Sequence, residues 1–384
     1  MGLVSLVSIA LSTMALLLVL SVFNGLEDLV KSLFRSFDPD IKIALKKGKS
    51  FVRDVALVDR ITATPGVAKV VEVIEDNVML RYQDYQLVAK VKGVSDNFLQ
   101  QSPLAPFLLQ GNFQLKSHQA SLALVGSGVC YALSVRLADP FHVLQVLYPR
   151  PARGTPLMPS QLYRRKVIRP GAVFAVEKHF DEQYVIVPLD FAAALMDMED
   201  RRTALEITVA SGFSVKTVQK ELCQVVPERF SILNSDEQQP ALMQAIHIER
   251  LFVLLTFSLI LLVASLNIFF VLSMLLLDKR RDMAVLYTLG ATPRDVQRIF
   301  LIEGFLIALC GTALGMVAAW GLSWLQEQFG LVSMGTSTSL VEAYPIRRQA
   351  SDFVYTAISV VAMTLVAAYR PARLAAQTMV ARNL

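Results

Sequence analysis

The residues that could bind a nucleotide in this chain do not complete a nucleotide-binding motif. Gly48-Lys49-Ser50 resembles the end of a phosphate-binding loop, but that motif needs a further glycine where Ile43 stands. Gly126-Ser127-Gly128 resembles the start of a dinucleotide-binding turn, but Tyr131 takes the place of the third glycine. We therefore expect this chain to bind no cofactor, and any energy source to belong to another subunit.

The histidines and cysteines give no pattern for catalysis. The histidines, His118, His142, His179 and His247, lack the spacing of metal ligands, and no nucleophile has a recognisable base. Cys130 and Cys223 could form a disulfide in an oxidising compartment, although free buried thiols are the simpler interpretation. The sequence thus predicts no catalytic residue and no metal site, and a protein that is not an enzyme.

Apolar stretches dominate the elements that would position any site. The chain has 384 residues, 54% hydrophobic and 18% charged, with a mean hydropathy of +0.48, whereas soluble domains carry about 25% charged residues. The stretches 1–26, 251–277, 304–325 and 353–369 are uncharged and reach or approach the roughly 17–25 residues that cross a bilayer. They predict an α-helical membrane protein with four transmembrane helices and a large external α+β domain between the first and second spans.

The segment boundaries follow from these stretches. The spans are predicted at 1–26, 251–277, 299–325 and 353–369. The external domain is divided into a first part at 27–96, an inserted β-rich part at 97–200, and a second part with a stalk at 201–250. A cytosolic segment at 278–298, an external loop at 326–352 and a cytosolic tail at 370–384 complete the chain.

Basic residues in the short loops predict the orientation. The 278–298 segment holds five basic residues, whereas the 326–352 loop holds only Arg347 and Arg348, so the first of these and both termini are predicted to be cytosolic. The first stretch lacks the basic start and small-residue cleavage site of a signal peptide, which favours an uncleaved span. The net charge of +5 needs no nucleic-acid partner.

Residue patterns in the insert predict a mixed α/β domain. Predicted strands lie at 40–45, 68–74, 77–82, 86–94, 204–210 and 229–233. Predicted helices lie at 51–64, capped by Ser50, and after Ser214 through Val225. A β-α-β unit on each side of a central piece predicts one subdomain interrupted by a second.

A segment rich in proline and arginine, Pro149–Pro159, lies between two β-rich segments at 141–147 and 166–176. This density of proline and glycine predicts an exposed, stiff hairpin loop. A solvated loop without a partner is the simplest interpretation, but two apolar side chains held between prolines favour a contact site. The residues assigned to that site are Arg153, Pro156, Leu157, Met158, Pro159 and Gln161.

A charged turn follows the second span directly. Asp278–Asp282 leads into the amphipathic segment Met283–Gly290, and a new helix is predicted to start at Thr292. This organisation predicts a docking element at the membrane surface. Its assigned residues are Arg280, Arg281, Met283, Ala284, Leu286, Leu289, Gly290, Thr292 and Arg294.

Small and polar residues in the spans predict helix packing. Gly311 and Gly315 have the spacing that lets helices approach closely, and Asn267 is predicted to hydrogen-bond to a neighbouring helix. Glu303, at the cytosolic mouth of the third span, is predicted to reach the interface. The first and second spans are predicted to continue outward as stalks.

Several segments resemble one family. These are 19–26 at the end of the first span, 278–300 after the second, and 369–376 near the chain end; within the insert they are 171–174 and 180–190. They resemble the FtsX/MacB-type permeases of ABC transporters, and most closely the lipoprotein-releasing (Lol) inner-membrane permeases.

The resemblance implies a permease of the bacterial inner membrane that acts as a homo- or heterodimer with two ABC ATPase subunits. ATP and Mg would bind to the ATPases, which would dock on 283–290. A lipoprotein substrate would leave the membrane lipid and pass to a periplasmic carrier. The insert would be a porter-like domain at 27–96 and 201–250 with a sabre-like part at 97–200, whose 149–161 loop would be the carrier-binding hook.

The chain departs from the family pattern in places. The family has a cytosolic helix before the first span, whereas this chain begins at the span, so a truncated or misassigned start is expected. Ala138-Asp139-Pro140 stands where the family has a Gly-Asp turn. Thr378–Leu384 stands where the family has an acidic ending that contains proline. Two alternatives stay open: an efflux permease resembling MacB, and a permease resembling FtsX that activates a periplasmic cell-wall hydrolase.

Overall fold

A helical unit and an α/β unit make up the chain, in a computed structural model that describes residues 2–100, 102–117, 120–137, 139, 141–150, 163–333 and 344–377. The helical unit comprises Met1–Val30 and Gln244–Leu384, and the α/β unit comprises Lys31–Met243. Two helices continue from one unit into the other, because the α/β unit is inserted between them in the chain.

The elements, in chain order, are α1 (Gly2–Phe37), β1 (Ile41–Leu45), β2 (Phe51–Val52), α2 (Val55–Thr62), β3 (Val67–Tyr82), β4 (Tyr85–Val94), β5 (Leu108–Gly111), β6 (Lys116–Ser117), β7 (Ala120–Gly126), α3 (Ser127–Leu133), β8 (Leu144–Pro149), β9 (Tyr163–Phe174), α4 (Lys178–Asp181), β10 (Tyr184–Pro188), α5 (Leu189–Met196), β11 (Arg201–Arg202), β12 (Ala204–Val209), α6 (Val215–Val225), β13 (Phe230–Asn234), α7 (Ser235–Gln238), α8 (Pro240–Asp278), α9 (Arg280–Thr288), α10 (Pro293–Phe329) and α11 (Ala350–Gln377).

Within the described part of the chain, four helices, α1, α8, α10 and α11, are long and apolar enough to cross a membrane. Each extends beyond the stretch that its uncharged run predicts: α8 begins at Pro240, and α10 begins at Pro293. Helix α1 continues to Phe37, because polar residues after the span still have helical propensity.

Burial differs sharply among these helices. Helices α1, α10 and α11 each bury side chains, and one apolar cluster joins Ile9 and Leu16 of α1 to Phe300 of α10 and Val360 of α11. In α8, none of the side chains that the structure describes is buried. The fully buried side chains that the structure describes in these helices therefore lie in α1, α10 and α11, and Val253 and Phe257 of α8 are half-buried against the same cluster.

The two ends of the α/β unit meet in one open sheet with the strand order β13-β1-β12-β3. Strand β1 lies between two antiparallel partners that are distant in sequence, pairing Ile41 with Ile207 of β12 and with Asn234 of β13. Helices α2 and α6 cover this sheet, and their buried Leu57 and Leu222 belong to its apolar core. The β-α-β patterns before and after the central piece thus share one core.

A closed barrel continues from the same sheet. Strand β3 pairs with β4, β4 with β10, β10 with β7, β7 with β9, β9 with β8, and β8 with β3 again. Apolar side chains from all six strands fill one core. Strand β3 belongs to both the open sheet and the barrel, and β4 belongs to the barrel, although the sequence boundary at 97 assigned both strands to the first part.

The prediction of two strands at 68–74 and 77–82 is wrong, because β3 is continuous from Val67 to Tyr82. Glu75 and Asp76 lie between the two predicted strands, and both carboxylates have partners: the Tyr184 hydroxyl donates to Glu75 over 3.0 Å, and the Tyr148 hydroxyl donates to Asp76 over 2.9 Å. Paired carboxylates are compatible with a buried strand.

The prediction of a helix over 51–64 with Ser50 as its cap is also wrong at its start. Phe51 and Val52 form β2, which pairs with β11, and α2 begins only at Val55. Asp54 is the cap, because its carboxylate accepts the Leu57 N–H over 3.1 Å. The sequence pattern did not separate these two caps, which lie four residues apart.

Candidate coupling segment and the anchor of the first helix

Helix α9 is fastened to the start of α10 by one side chain and exposes others. Met283 is only 4% exposed and packs in the cluster that contains Val296 and Phe300 of α10. Leu289, at the end of the segment, is 78% exposed, and Val285 is 58% exposed. The segment therefore presents apolar side chains outward from a fixed base.

A glycine turn and a helix cap follow α9. Gly290 has a φ of +95° with open space around its Cα, so it is required for its left-handed backbone and not for close packing. The Thr292 N–H and hydroxyl both donate to the Asp295 carboxylate, over 2.9 and 2.5 Å, and Pro293 opens α10. These features fix the direction of α9 relative to α10.

A cavity of about 200 Å³ lies between α9 and the first turns of α10. Most of the lining side chains are apolar, and the charged residues Lys279, Asp282 and Glu303 form its polar edge. The Lys279 ammonium lies 2.8 Å from the Asp282 carboxylate. Glu303 of α10 thus lies near the charged pair Lys279 and Asp282.

The other residues assigned to this segment are only partly described. Arg281 is exposed, and Leu286 is 37% exposed at the cavity. Thr292 forms the cap, and Arg294 follows Pro293 in the exposed first turn of α10. Arg280 and Ala284 lie in α9, where the structure describes their backbone.

Gly311 and Gly315 lie where α10 meets α1. A Cβ added at Gly315 would come within 2.6 Å of the Ala10 carbonyl oxygen, and one at Gly311 within 3.0 Å of Ile9 Cβ. Both positions therefore require glycine for the approach of the two helices. Asn267 lies in α8, where the structure describes its backbone.

The residues predicted to form a carrier-binding site, Arg153, Pro156, Leu157, Met158, Pro159 and Gln161, lie outside the described residues. The strands on either side of them, β8 and β9, pair antiparallel from Leu144 with Ile168 to Pro149 with Tyr163. The segment thus joins the ends of two paired strands at one end of the barrel.

Within the α/β unit, the last turns of α1 are held by an aromatic cluster. The Phe37 ring stacks on Phe180, with 4.3 Å between centroids, and meets Tyr184 edge to face at 4.7 Å. Phe34, one turn earlier, contacts Phe180 at 5.1 Å. Two rings on one helix face thus attach α1 to the sheet, since Tyr184 begins β10.

A buried ionic network lies beneath this aromatic cluster. Lys92 and Glu206 are 2% and 5% exposed, and their charged atoms are 2.8 Å apart. The Lys92 ammonium also lies 4.9 Å from the centre of the Phe37 ring. Burial opposes ionisation of Glu75, but Lys42 and Lys92 outweigh it and hold the pKa of Glu75 below its ordinary value.

The start of α8 is tied to the end of α1 in the same unit. The Gln239 side-chain amide donates to the Asp38 carboxylate over 3.0 Å, and that of Gln238 donates to the Pro39 carbonyl over 3.0 Å. Burial raises the pKa of Asp38 despite the hydrogen bond from Gln239. Both helices that continue into the helical unit therefore share one attachment point.

Replacing Phe37 with alanine is expected to destabilise the α/β unit by about 3 kcal/mol, because it removes a buried ring and leaves a cavity among the neighbouring rings. Hydrogen–deuterium exchange of the full-length protein measures this as faster exchange in β10. Leu109→Ala, at a side chain that is 61% exposed, is the control and should leave exchange unchanged. Equal exchange in the two variants would contradict an anchoring role for Phe37.

Sequence reasoning missed this attachment point. The signals available were Phe34 and Phe37 at helical spacing after the span, and the lysine and glutamate residues Lys92 and Glu206 in otherwise apolar strands. Each is ambiguous alone, because charged residues in strands are more often on a solvated face. Only the three-dimensional pairing identifies them.

Two sequence families match the chain. The MacB-like periplasmic core domain matches residues 3–225, and the FtsX-like permease C-terminal family matches residues 254–379. Together they cover both the α/β unit and the helices that follow it.

Proteins with known names extend this similarity over the whole chain. The lipoprotein-releasing system transmembrane protein LolC of Xylella fastidiosa (strain Temecula1) is 23% identical over 99% of this chain and 92% of its own length. The lipoprotein-releasing system transmembrane protein LolE of Haemophilus influenzae is 22% identical over 77% of this chain and 72% of its own length.

Among solved structures, the periplasmic region of MacB from Actinobacillus actinomycetemcomitans overlaps 55% of this chain and 95% of its own, at 11% identity and a TM-score of 0.38. The sequence matches carry the assignment, since the MacB-like family alone matches more than half of the residues and the FtsX-like family matches the closing helices. The chain therefore belongs to the MacB- and FtsX-like family of ABC transporter permeases.

Proposed function

We propose that this permease extracts lipoproteins from the outer leaflet of the bacterial inner membrane and passes them to a periplasmic carrier, driven by ATP hydrolysis in partner subunits. The observation that carries the proposal is the full-length similarity to LolC together with an α/β unit of the MacB type. The permease would act with a second permease subunit, identical or related, and with two ATPases that hold ATP and Mg.

Energy would enter at α9. Its exposed Leu289 and Val285 offer an apolar surface to a groove in the ATPase, and its buried Met283 fixes it to α10. The exposed Arg281 and Arg294 would hold the segment at the cytosolic face by pairing with acidic groups. In the proposal this chain has no nucleotide site of its own. Conformational changes in the ATPase would therefore be transmitted to the permease through the surface of α9.

Movement would then reach the α/β unit through α8. Helix α8 is unbroken from Pro240 to Asp278, directly before α9, and a continuous helix resists bending along its length. Its start is bonded to the end of α1 through Gln239 and Asp38. A displacement of α9 would therefore be transmitted along α8 to the hydrogen bond between Gln239 and Asp38, and from there to the sheet and the barrel.

The loop between β8 and β9 would bind the carrier. Replacing both Leu157 and Met158 with serine is expected to weaken carrier binding by about tenfold or more, since buried apolar anchors dominate such interfaces. The assay measures binding of the purified carrier to the permease–ATPase complex, and then release of an acylated lipoprotein from proteoliposomes. ATPase activity should be unchanged.

Phe141→Ser is the matched control, because Phe141 is an apolar side chain that is 88% exposed just before β8. It should bind the carrier normally. Unchanged carrier binding by the Leu157/Met158 variant would remove the reason for preferring lipoprotein release over the two alternatives. Export of a small molecule would then favour efflux, and activation of a cell-wall hydrolase would favour signalling.

A further inference from the structure

At one end of the helical unit, α1 is bound to the segment that leads into α11. The Asn24 side-chain amide donates to the Asp352 carboxylate over 2.6 Å, and the Arg347 N–H donates to the Ser21 carbonyl over 3.0 Å. Arg347 also forms an ion pair with Asp28, one helical turn beyond Asn24. Asn24 and Ser21 are each only 3% exposed, so these bonds are shielded from water.

Gly25 lets the backbones meet at this point. A Cβ added there would lie 2.2 Å from the Pro345 carbonyl oxygen and 2.9 Å from the Ile346 nitrogen. Those atoms are backbone and cannot rotate away, so a side chain would force the two segments apart. The Asn24-Gly25 pair therefore combines a hydrogen bond with a contact that only glycine permits.

The same segment is fastened to α10. Arg348 pairs with Glu327, and its guanidinium lies 5.7 Å from the centre of the Trp320 ring. The buried Gln326 side chain forms two hydrogen bonds of 2.9 Å with the backbone of Val332. Polar ties thus join α1, α10 and α11 at the end that the distribution of basic residues predicts to be external.

Helix α8 shows no polar bond of this kind to the other long helices among the residues that the structure describes. It contacts them through apolar side chains: Val253 and Phe257 are half-buried against the cluster that α1, α10 and α11 share, and none of its described side chains is fully buried. A groove of about 670 Å³ separates α8 from α11 between Leu266 and Met363. Among the described residues, α1, α10 and α11 are therefore held by both polar bonds and buried side chains, whereas α8 is held by half-buried apolar contacts.

We propose that Asn24, Gly25, Arg347 and Asp352 form a permanent clasp, which keeps α1, α10 and α11 together as one body during the transport cycle while α8 moves against them. Asn24 and Gly25 are positioning residues: they touch no substrate and act by fixing α1. The inference rests on the proposed function only in that ATP drives the movement. It explains why an asparagine–glycine pair ends the apolar part of α1.

The hydrogen bond is tested by exchanging its partners. Asn24→Asp sets two carboxylates side by side, and is expected to lower ATP-driven lipoprotein release by about tenfold or more at normal complex yield. The double variant Asn24→Asp with Asp352→Asn restores one donor and one acceptor, so release should recover to within about twofold of the parent protein. Val19→Ala, at an exposed position on α1, is the control.

The movement is tested by distances between spin labels in the permease–ATPase complex, with Cys130, Cys223 and Cys310 replaced by serine. Labels at the exposed positions 19 on α1 and 355 on α11 should keep their distance within about 2 Å when vanadate traps the ATPase. Labels at 248 on α8 and 355 should change distance by more than that. In Asn24→Asp the first pair should also shift.

The distance measurements need neither lipoprotein nor carrier, so their outcome is separate from that of the proposed function. A change in the 19–355 distance of the parent protein on trapping would overturn the clasp, because α1 would then move against α11. A double variant that is no better than Asn24→Asp would equally overturn the role of the hydrogen bond.

Discussion

Replacing Leu289 with glutamate is expected to lower ATP-driven transport by about 100-fold or more, while the permease still folds and inserts. Leu289 is 78% exposed at the end of α9, so the folded chain loses no contact. In the proposed complex, however, the side chain is buried against the ATPase. Burying a carboxylate without a partner costs several kcal/mol, and about 3 kcal/mol corresponds to more than a hundredfold loss of affinity.

The measurement is co-purification of the ATPase with the tagged permease, followed by lipoprotein release in proteoliposomes. Leu331→Glu is the matched control, since Leu331 is 68% exposed but lies in the segment predicted to be external. It should retain the ATPase. Normal ATPase binding by Leu289→Glu would show that α9 does not dock, and that the exposed apolar residues there face lipid instead.

Replacing Lys92 with methionine is expected to destabilise the α/β unit by about 3–5 kcal/mol, because it leaves the buried Glu206 carboxylate without its partner. That is a large part of the roughly 5–15 kcal/mol that stabilises a typical domain. Hydrogen–deuterium exchange of the full-length protein should show β4 and β12 exchanging about 100-fold faster or more. The Phe37 ring would also lose the ammonium beside it.

Two further variants test whether the loss of stability in Lys92→Met comes from the unpaired buried charge of Glu206. Replacing Glu206 with glutamine in the Lys92→Met background should recover much of the loss, because no unpaired charge is left. Lys116→Met removes exposed ion pairs with Asp96 and Asp190 and should change exchange little, since each such pair contributes about 0–1 kcal/mol. A small effect of Lys92→Met would mean that water reaches Glu206.

The pH at which acid unfolding begins should also distinguish Lys92→Met from the parent protein. Glu75 has its pKa held below its ordinary value in the folded protein by Lys42 and Lys92, against the effect of burial. It therefore contributes stability above its unfolded pKa, and this is lost as the pH falls through the folded pKa. Without Lys92 the folded pKa of Glu75 rises, so acid unfolding should begin at a higher pH, as followed by circular dichroism.

The sequence predicted the helices well and the strand partners poorly, for physical reasons. A long uncharged run is a local signal, so the positions of α1, α8, α10 and α11 could be read from the chain alone. The helix start at Thr292 was also locally recognisable, because caps depend on residue type. The structure has this cap at the predicted position.

The attachment of α1 could not be predicted in the same way. Lys92 and Glu206 are far apart in sequence, and each would be costly in a strand without the other. Gly25 likewise gives no hint of Pro345, since the need for glycine comes from a backbone that lies hundreds of residues later. Long-range pairs of this kind follow from topology, and no local pattern encodes them.

The closed barrel has a consequence for how such permeases diversify. Strand β8 is paired on one side with β3 and on the other with β9, and β9 is itself paired with β7. Lengthening or exchanging the loop between β8 and β9 therefore exposes no unpaired strand edge, and edges are what promote aggregation. We therefore expect that sequences inserted between β8 and β9 leave the strand pairing of the barrel intact.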